Sequence, residues 1–116
     1  MFENIPKIGD RVKLLRIIRG FSQSELSKAI GKSHGYIARF ENGRCPPKPL
    51  TVMKICEAFD ISMKDFFDLD IETVVNFGFF DGLHRINDVE KRKLFARERF
   101  IKLCHNNPQL QLYMEK

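Results

Sequence analysis

Tryptophan is missing from this chain, and proline and glycine are sparse, at 5 and 7 among 116 residues. So few structure-breaking residues leave little room for long disordered stretches. No apolar run approaches the roughly 20 residues that a membrane-spanning helix needs. The segment MFENIPKIGD has no basic patch followed by an apolar core, so no secretory signal is read there and the cytoplasm is the expected location. Cysteine is scarce as well: Cys45, Cys56 and Cys104 are odd in number and far apart. A disulfide framework would leave one unpaired, and no Cys or His pair has zinc-binding spacing, so buried thiols are expected and neither metal nor cofactor. A Gly-rich phosphate loop and a nucleophile motif are also missing, so the chain is not expected to be an enzyme.

What remains is apolar and basic. Hydrophobic residues make up 43% of the chain and include 11 Phe, enough to build a core without staples. The length suits one compact domain, or a domain of about 60–70 residues with an extension. The net charge is +5 and the isoelectric point about 9.3, the usual footprint of a nucleic-acid binder. Residues 1–68 hold 12 Lys+Arg against 8 Asp+Glu, and residues 69–116 hold 8 against 7. The excess therefore sits in the first part.

Periodicity predicts helices throughout. Ile8, Val12, Leu15 and Ile18 form the stripe of a first helix that begins near Pro6 and ends at Gly20. Ile17 points away from that stripe. Ser22-Gln23-Ser24-Glu25 reads as a capping box opening a second helix, with Leu26, Ala29 and Ile30 inward and Gly31 as its stop. Ser33 is expected to cap a third helix that carries Ile37 and Phe40 inward and stops at Asn42-Gly43. A fourth helix presents Val52, Ile55, Cys56 and Phe59, and Ser62 starts a brief fifth one around Phe66 or Phe67. Residues 70–86 are ambiguous, because the run from Val74 to Phe80 is β-branched and aromatic enough for a strand. Asn87 should cap a last helix whose broad apolar half holds Ile86, Val89, Leu94, Ala96, Phe100, Ile101, Leu103 and Cys104, with a short tail after Pro108.

Two short helices joined by a tight glycine turn make a helix-turn-helix unit, whose second helix enters the major groove. Alone this is weak, but residues 8–68 as a whole resemble the Xre / phage-repressor (Cro/CI-like) family. The match is carried by Ile8-Gly9-Asp10-Arg11-Val12, Gly20-Phe21-Ser22-Gln23-Ser24-Glu25-Leu26, Ile30-Gly31, Tyr36-Ile37-Ala38-Arg39-Phe40-Glu41-Asn42-Gly43, Pro49-Leu50-Thr51 and Ala58-Phe59-Asp60-Ile61-Ser62. The resemblance implies a five-helix lambda-repressor-like DNA-binding domain, set here over residues 1–69; with the C-terminal helical extension read from the pattern over 70–116, the expected fold is all-α. The resemblance further implies a sequence-specific regulator, a repressor or autoregulator, that binds double-stranded DNA as a dimer.

Carried over by position, Gln23 is expected at a phosphate, and Ser33, His34, Gly35, Ala38 and Arg39 on the outward face of the recognition helix. Arg39 is expected to read a base, since its fork matches guanine O6 and N7, with phosphate contact as the alternative. Tyr36 either reaches a phosphate or packs over the first turn. Lys32 and Arg44 flank the helix as phosphate neutralisers. Arg16 and Glu41 occupy the family's ion-pair positions and are expected to orient the recognition helix. Three departures stand out. Gly35 and Ala38 replace long polar side chains, which shifts weight to shape readout. Asp60 stands where Gly or Asn usually ends a helix, a position whose left-handed conformation Asp tolerates.

The extension is too apolar for a solvated tail. It packs on the DNA-binding domain, forms a homodimer, or binds a foreign protein, as an antitoxin or inhibitor would. Its apolar half, edged by Lys91, Arg92, Lys93, Arg97 and Lys102, favours the dimer, with Phe77, Phe79, Phe80, Leu94, Phe100 and Ile101 at the interface.

Overall fold

A computed structural model describes residues 7–114. Seven α-helices follow one another: α1 (Ile8–Arg19), α2 (Gln23–Ala29), α3 (Tyr36–Glu41), α4 (Pro49–Ala58), α5 (Met63–Asp68), α6 (Ile71–Asn76) and α7 (Val89–Asn106). Short 3-10 segments cover Leu83–Arg85 and Pro108–Met114. The described residues contain no strand, so the fold is all-α. Among them no helix is long and apolar enough to cross a membrane.

The local signals operate largely as chemistry dictates. At α2 both halves of the capping box form, the Ser22 hydroxyl accepting from the Glu25 amide and Glu25 accepting from the Ser22 amide. Ser62 caps α5 through the Asp65 amide. Pro49, which has no amide hydrogen to leave unpaired, opens α4. Helix wins over strand at residues 71–76 because Asp70 accepts from both the amide and the hydroxyl of Thr73. Ile71 and Val74 then bury on one face. Asp60 does take the left-handed conformation, with φ 55°.

Several boundaries and faces differ from expectation. Pro6 lies outside the described residues, and α1 begins at Ile8. On α2 it is Ser27 that turns inward with Leu26, while Ala29 is exposed. Asp88, not Asn87, caps α7 by accepting from the Lys91 amide. The tail after Pro108 folds back and buries Leu110 and Tyr113. The Tyr113 hydroxyl donates to the Asp65 carbonyl at 2.7 Å. Burial, with Asp65 and Asp68 nearby, pushes that phenol up to about 12, so it remains a donor across physiological pH.

α1 lies at the centre. Val12, Leu15 and Ile18 bury as the stripe predicts, but Leu14 and Ile17 bury too, because α7 packs along a second side of the helix. A helix apolar on more than one face needs cover on each. The cover comes from an unexpected arc of α7: Ala96, Phe100, Leu103 and Cys104 face inward, whereas Leu94 and Ile101 point to solvent. The basic residues read as the rim of that arc partly join it. The Lys93 stem lies against Gly20, and Arg97 donates to the Ile18 carbonyl at 2.8 Å. One continuous apolar cluster thus runs from Val12 to Tyr113.

Arginines tie the helix ends together. A helix leaves its last carbonyls unpaired and slightly negative, which favours a cationic donor there. Arg11 donates to the carbonyls of Phe66, Phe67 and Leu69 at the end of α5. Arg19 bridges the carbonyls of Phe59 and Tyr113, and Arg99 binds those of Phe79 and Asp81 in the turn after α6. Burial lowers the affinity of the Arg11 and Arg19 guanidinium groups for their protons, though not enough to discharge an arginine. The three cysteines are free thiols, and burial pushes Cys56 up to about 11, where it is unreactive near neutral pH.

The extension should therefore carry stability. Phe100 is fully buried, and Phe100→Ala should cost about 3–5 kcal/mol of unfolding free energy in denaturant titrations. A loss below about 1 kcal/mol would mean that α7 is a detachable arm.

Candidate nucleic-acid interface

The angle between α2 and α3 is set by a small core of Leu26, Ile30 and Ile37, all buried. One polar atom fixes it further. The Ser27 hydroxyl, wholly buried, donates to the Gln23 carbonyl at 2.9 Å and accepts from the Ile37 amide at 3.1 Å. It thereby satisfies one of the amides that the start of α3 leaves without an intrahelical partner. A serine inside a helix has no apolar signature, so the sequence does not single out Ser27. Its only hint was its place one residue beyond Leu26, beside the inward face.

The recognition helix starts later than Ser33 suggests. Gly35, with φ 88°, precedes α3, so Ser33 and His34 stand in an exposed turn ahead of the helix and not on it. The conformation is one that side chains other than glycine rarely take. Gly35 also makes room: a Cβ there would lie 3.3 Å from an Arg39 guanidinium nitrogen. The small residue that looked like a missing contact is instead what allows Arg39 to lie over the start of α3. Arg39 is exposed and Ala38 half-buried.

His34 meets α2 across the turn, its Nδ1 3.1 Å from the Ser24 hydroxyl. Tyr36 is half-buried against Phe40 at a centroid separation of 6.3 Å, with the Lys32 ammonium 5.2 Å above its ring. Of its two expected roles, packing over the first turn is the one this geometry contains. Lys32 and Arg44 are exposed on either side of α3, and Lys28 and Lys48 are exposed as well.

Beneath this surface lies the ion pair. Arg16 Nε donates to Glu41 Oε2 at 2.7 Å and Nη2 to Oε1 at 3.2 Å, with side-chain exposures of 5% and 4%. Arg16 Nη1 also holds the Phe21 carbonyl. Gln23 joins the network, its amide nitrogen donating to Glu41 Oε1 at 3.0 Å. Gly9 lets α1 approach α3, since a Cβ there would sit 2.6 Å from the Glu41 carbonyl oxygen. Gln23, Arg16 and Glu41 are thus one assembly joining α1, the start of α2 and the end of α3.

The residues expected at a dimer interface separate. Phe79 and Phe100 are fully buried and pack edge-to-face at 5.9 Å within the chain's own core, so they cannot face a partner. Phe80 is half-buried under Lys13, whose ammonium lies 4.8 Å from the ring. Phe77, Leu94 and Ile101 remain exposed. The sequence does not separate the clustered aromatics at 77–80, because a turn of the chain decides which of them face the core.

Removing one partner from a buried, hydrogen-bonded pair leaves a charge without compensation. Glu41→Gln should therefore lower stability by about 3–5 kcal/mol in thermal melts, and an unchanged melt would show that the pair holds nothing in place.

The comparisons with known proteins agree with this geometry. The helix-turn-helix family model matches residues 12–66. The "Uncharacterized HTH-type transcriptional regulator YgzD" of Bacillus subtilis (strain 168) is 38% identical over 63 residues, which are 54% of this chain and 96% of that protein. No solved structure matches the chain. A buried arginine–glutamate pair beneath an exposed two-helix unit, and a relative spanned almost end to end, lead to one assignment: the chain belongs to the Xre / Cro–CI-like helix-turn-helix family of DNA-binding transcription regulators.

Proposed function

We propose that this protein binds double-stranded DNA sequence-specifically as a dimer, in the cytoplasm, and acts as a repressor or autoregulator. Residues 1–69 serve as the DNA-binding unit and residues 70–116 as the extension that brings two copies together. The observation that carries the reading is the exposure of Lys32, Ser33, His34 and Arg39 among the described residues, the extension included. The extension packs on α1 and leaves that surface open. In this reading Arg39 reads a guanine edge, Gln23, Lys32 and Arg44 meet phosphates, and Ser33 and His34 contact the groove from the turn before α3. No cofactor or metal takes part.

For the dimer, the surface that supports it is narrower than the sequence suggested. Leu94 and Ile101, one heptad apart on the outer face of α7, are 67% and 48% exposed, with Phe77 exposed elsewhere on the extension. The same strip supports a second reading, in which the extension binds a foreign protein. Light scattering separates the two: a dimer that Leu94→Glu/Ile101→Glu converts to a monomer supports self-association, and a wild-type monomer leaves the strip to another protein.

DNA binding is tested by gel shift against the sequence upstream of the protein's own gene. Affinity should fall by about 10³–10⁵ between 50 and 200 mM salt if 6–10 phosphates are neutralised. Arg39→Ala should lose about 1–3 kcal/mol of discrimination at one base position. Binding that ignores both salt and Arg39 would refute the proposal.

A further inference from the structure

A cleft of about 430 Å³ opens where α1, the start of α2 and the extension meet. Lys13, Gln23 and Ser24 line it from the helix-turn-helix side, and His84, Asn87 and Arg92 from the extension. No residue lining it is acidic. That is not a general property of this surface, because the cleft beside Arg19 is lined by Glu57, Asp60 and Asp65. Two of its donors, His84 and Asn87, are held in place with no partner of their own among the described residues. Arg92 spends Nε and Nη2 on the carbonyls of Leu83 and Ile86, which fixes the 3-10 turn carrying His84 against α7. His84 and Asn87 are exposed, with no side-chain hydrogen bond among the described residues. Ser24 links the cleft to the recognition surface through its bond to His34.

Cations and neutral donors without a carboxylate suit a phosphate group. We propose that the extension contributes directly to DNA binding, with His84 and Asn87 contacting a backbone phosphate in the cleft they share with Lys13, Gln23 and Ser24. The inference rests on the DNA-binding reading above and deepens it. The source of the phosphate is the duplex backbone, because the cleft is continuous with the side chains expected to meet DNA. The footprint of this protein therefore extends past the helix-turn-helix onto the extension. His84 and Asn87 supply hydrogen-bond donors, and Lys13 supplies the fixed charge that displaces a counterion.

The test uses the full chain and a short random-sequence duplex, since backbone contacts do not depend on the operator. Fluorescence anisotropy across a salt series reads both affinity and slope. Lys13→Gln should reduce the slope of log affinity against log salt by about one, the loss of one neutralised phosphate. His84→Glu sets a carboxylate against the backbone and should weaken binding about tenfold or more, with an unchanged thermal melt because His84 is exposed. Wild-type slope and affinity in both variants would overturn the inference and leave the function proposal standing. Absence of any duplex binding by the wild-type chain would overturn both. Inorganic phosphate, titrated at constant ionic strength onto the DNA-free protein, should give no saturable shift of the His84 ring resonances. A saturable shift, together with wild-type DNA binding by the variants, would assign the cleft to a free phosphorylated ligand and overturn the duplex as its source.

Discussion

A helix with apolar side chains on more than one face cannot leave either of them in water, and α1 is such a helix. Leu14, Leu15, Ile17 and Ile18 are consecutive or nearly so, and all are buried. The helix-turn-helix elements cover one side and α7 covers another. From this follow the central position of α1, the docking of the extension and the burial of Phe79 and Phe100. The recognition surface stays free as a consequence, since α7 is committed to the opposite task of sealing α1. The Arg16–Glu41 pair, reaching from α1 to the end of α3, transmits that rigidity to the helix expected to meet DNA.

Charge is divided between structure and surface. Arg11, Arg19, Arg92, Arg97 and Arg99 all spend donors on backbone carbonyls near helix ends or turns. A formal net charge counts them as if they were available to a polyanion. The cations that remain exposed near α3 are Lys28, Lys32, Arg39, Arg44 and Lys48, a smaller set but a localised one. Locality matters more than the total, because the counterion release that drives DNA association depends on contacts made to phosphates.

Much was legible along the chain. Ser22 with Glu25, Pro49 and the Asn42-Gly43 stop are local devices whose partners lie within a few residues, and each works as its spacing indicates. The core side chains Val52, Ile55, Cys56 and Phe59 followed from helical period alone. The illegible parts share a different property. Ser27 matters through Ile37 on the next helix, Gly9 through the Glu41 carbonyl, and Gly35 through Arg39. The start of α3 was misplaced because Ser33 has the right chemistry for a cap, yet the chain reaches helical geometry only after Gly35.

The sequence by itself determined the all-helical class and the helix-turn-helix unit, since these rest on periodicity, caps and turn residues that act over one or two turns of backbone. Only the tertiary structure decided which arc of α7 is inside. Hydrophobicity alone placed Leu94 and Ile101 with Phe100, but a helix about 18 residues long can bury only the arc that meets its neighbour. That neighbour was α1, and it accepted the stems of Lys93 and Arg97 because their charged ends could reach solvent or a carbonyl, leaving two aliphatic residues outside.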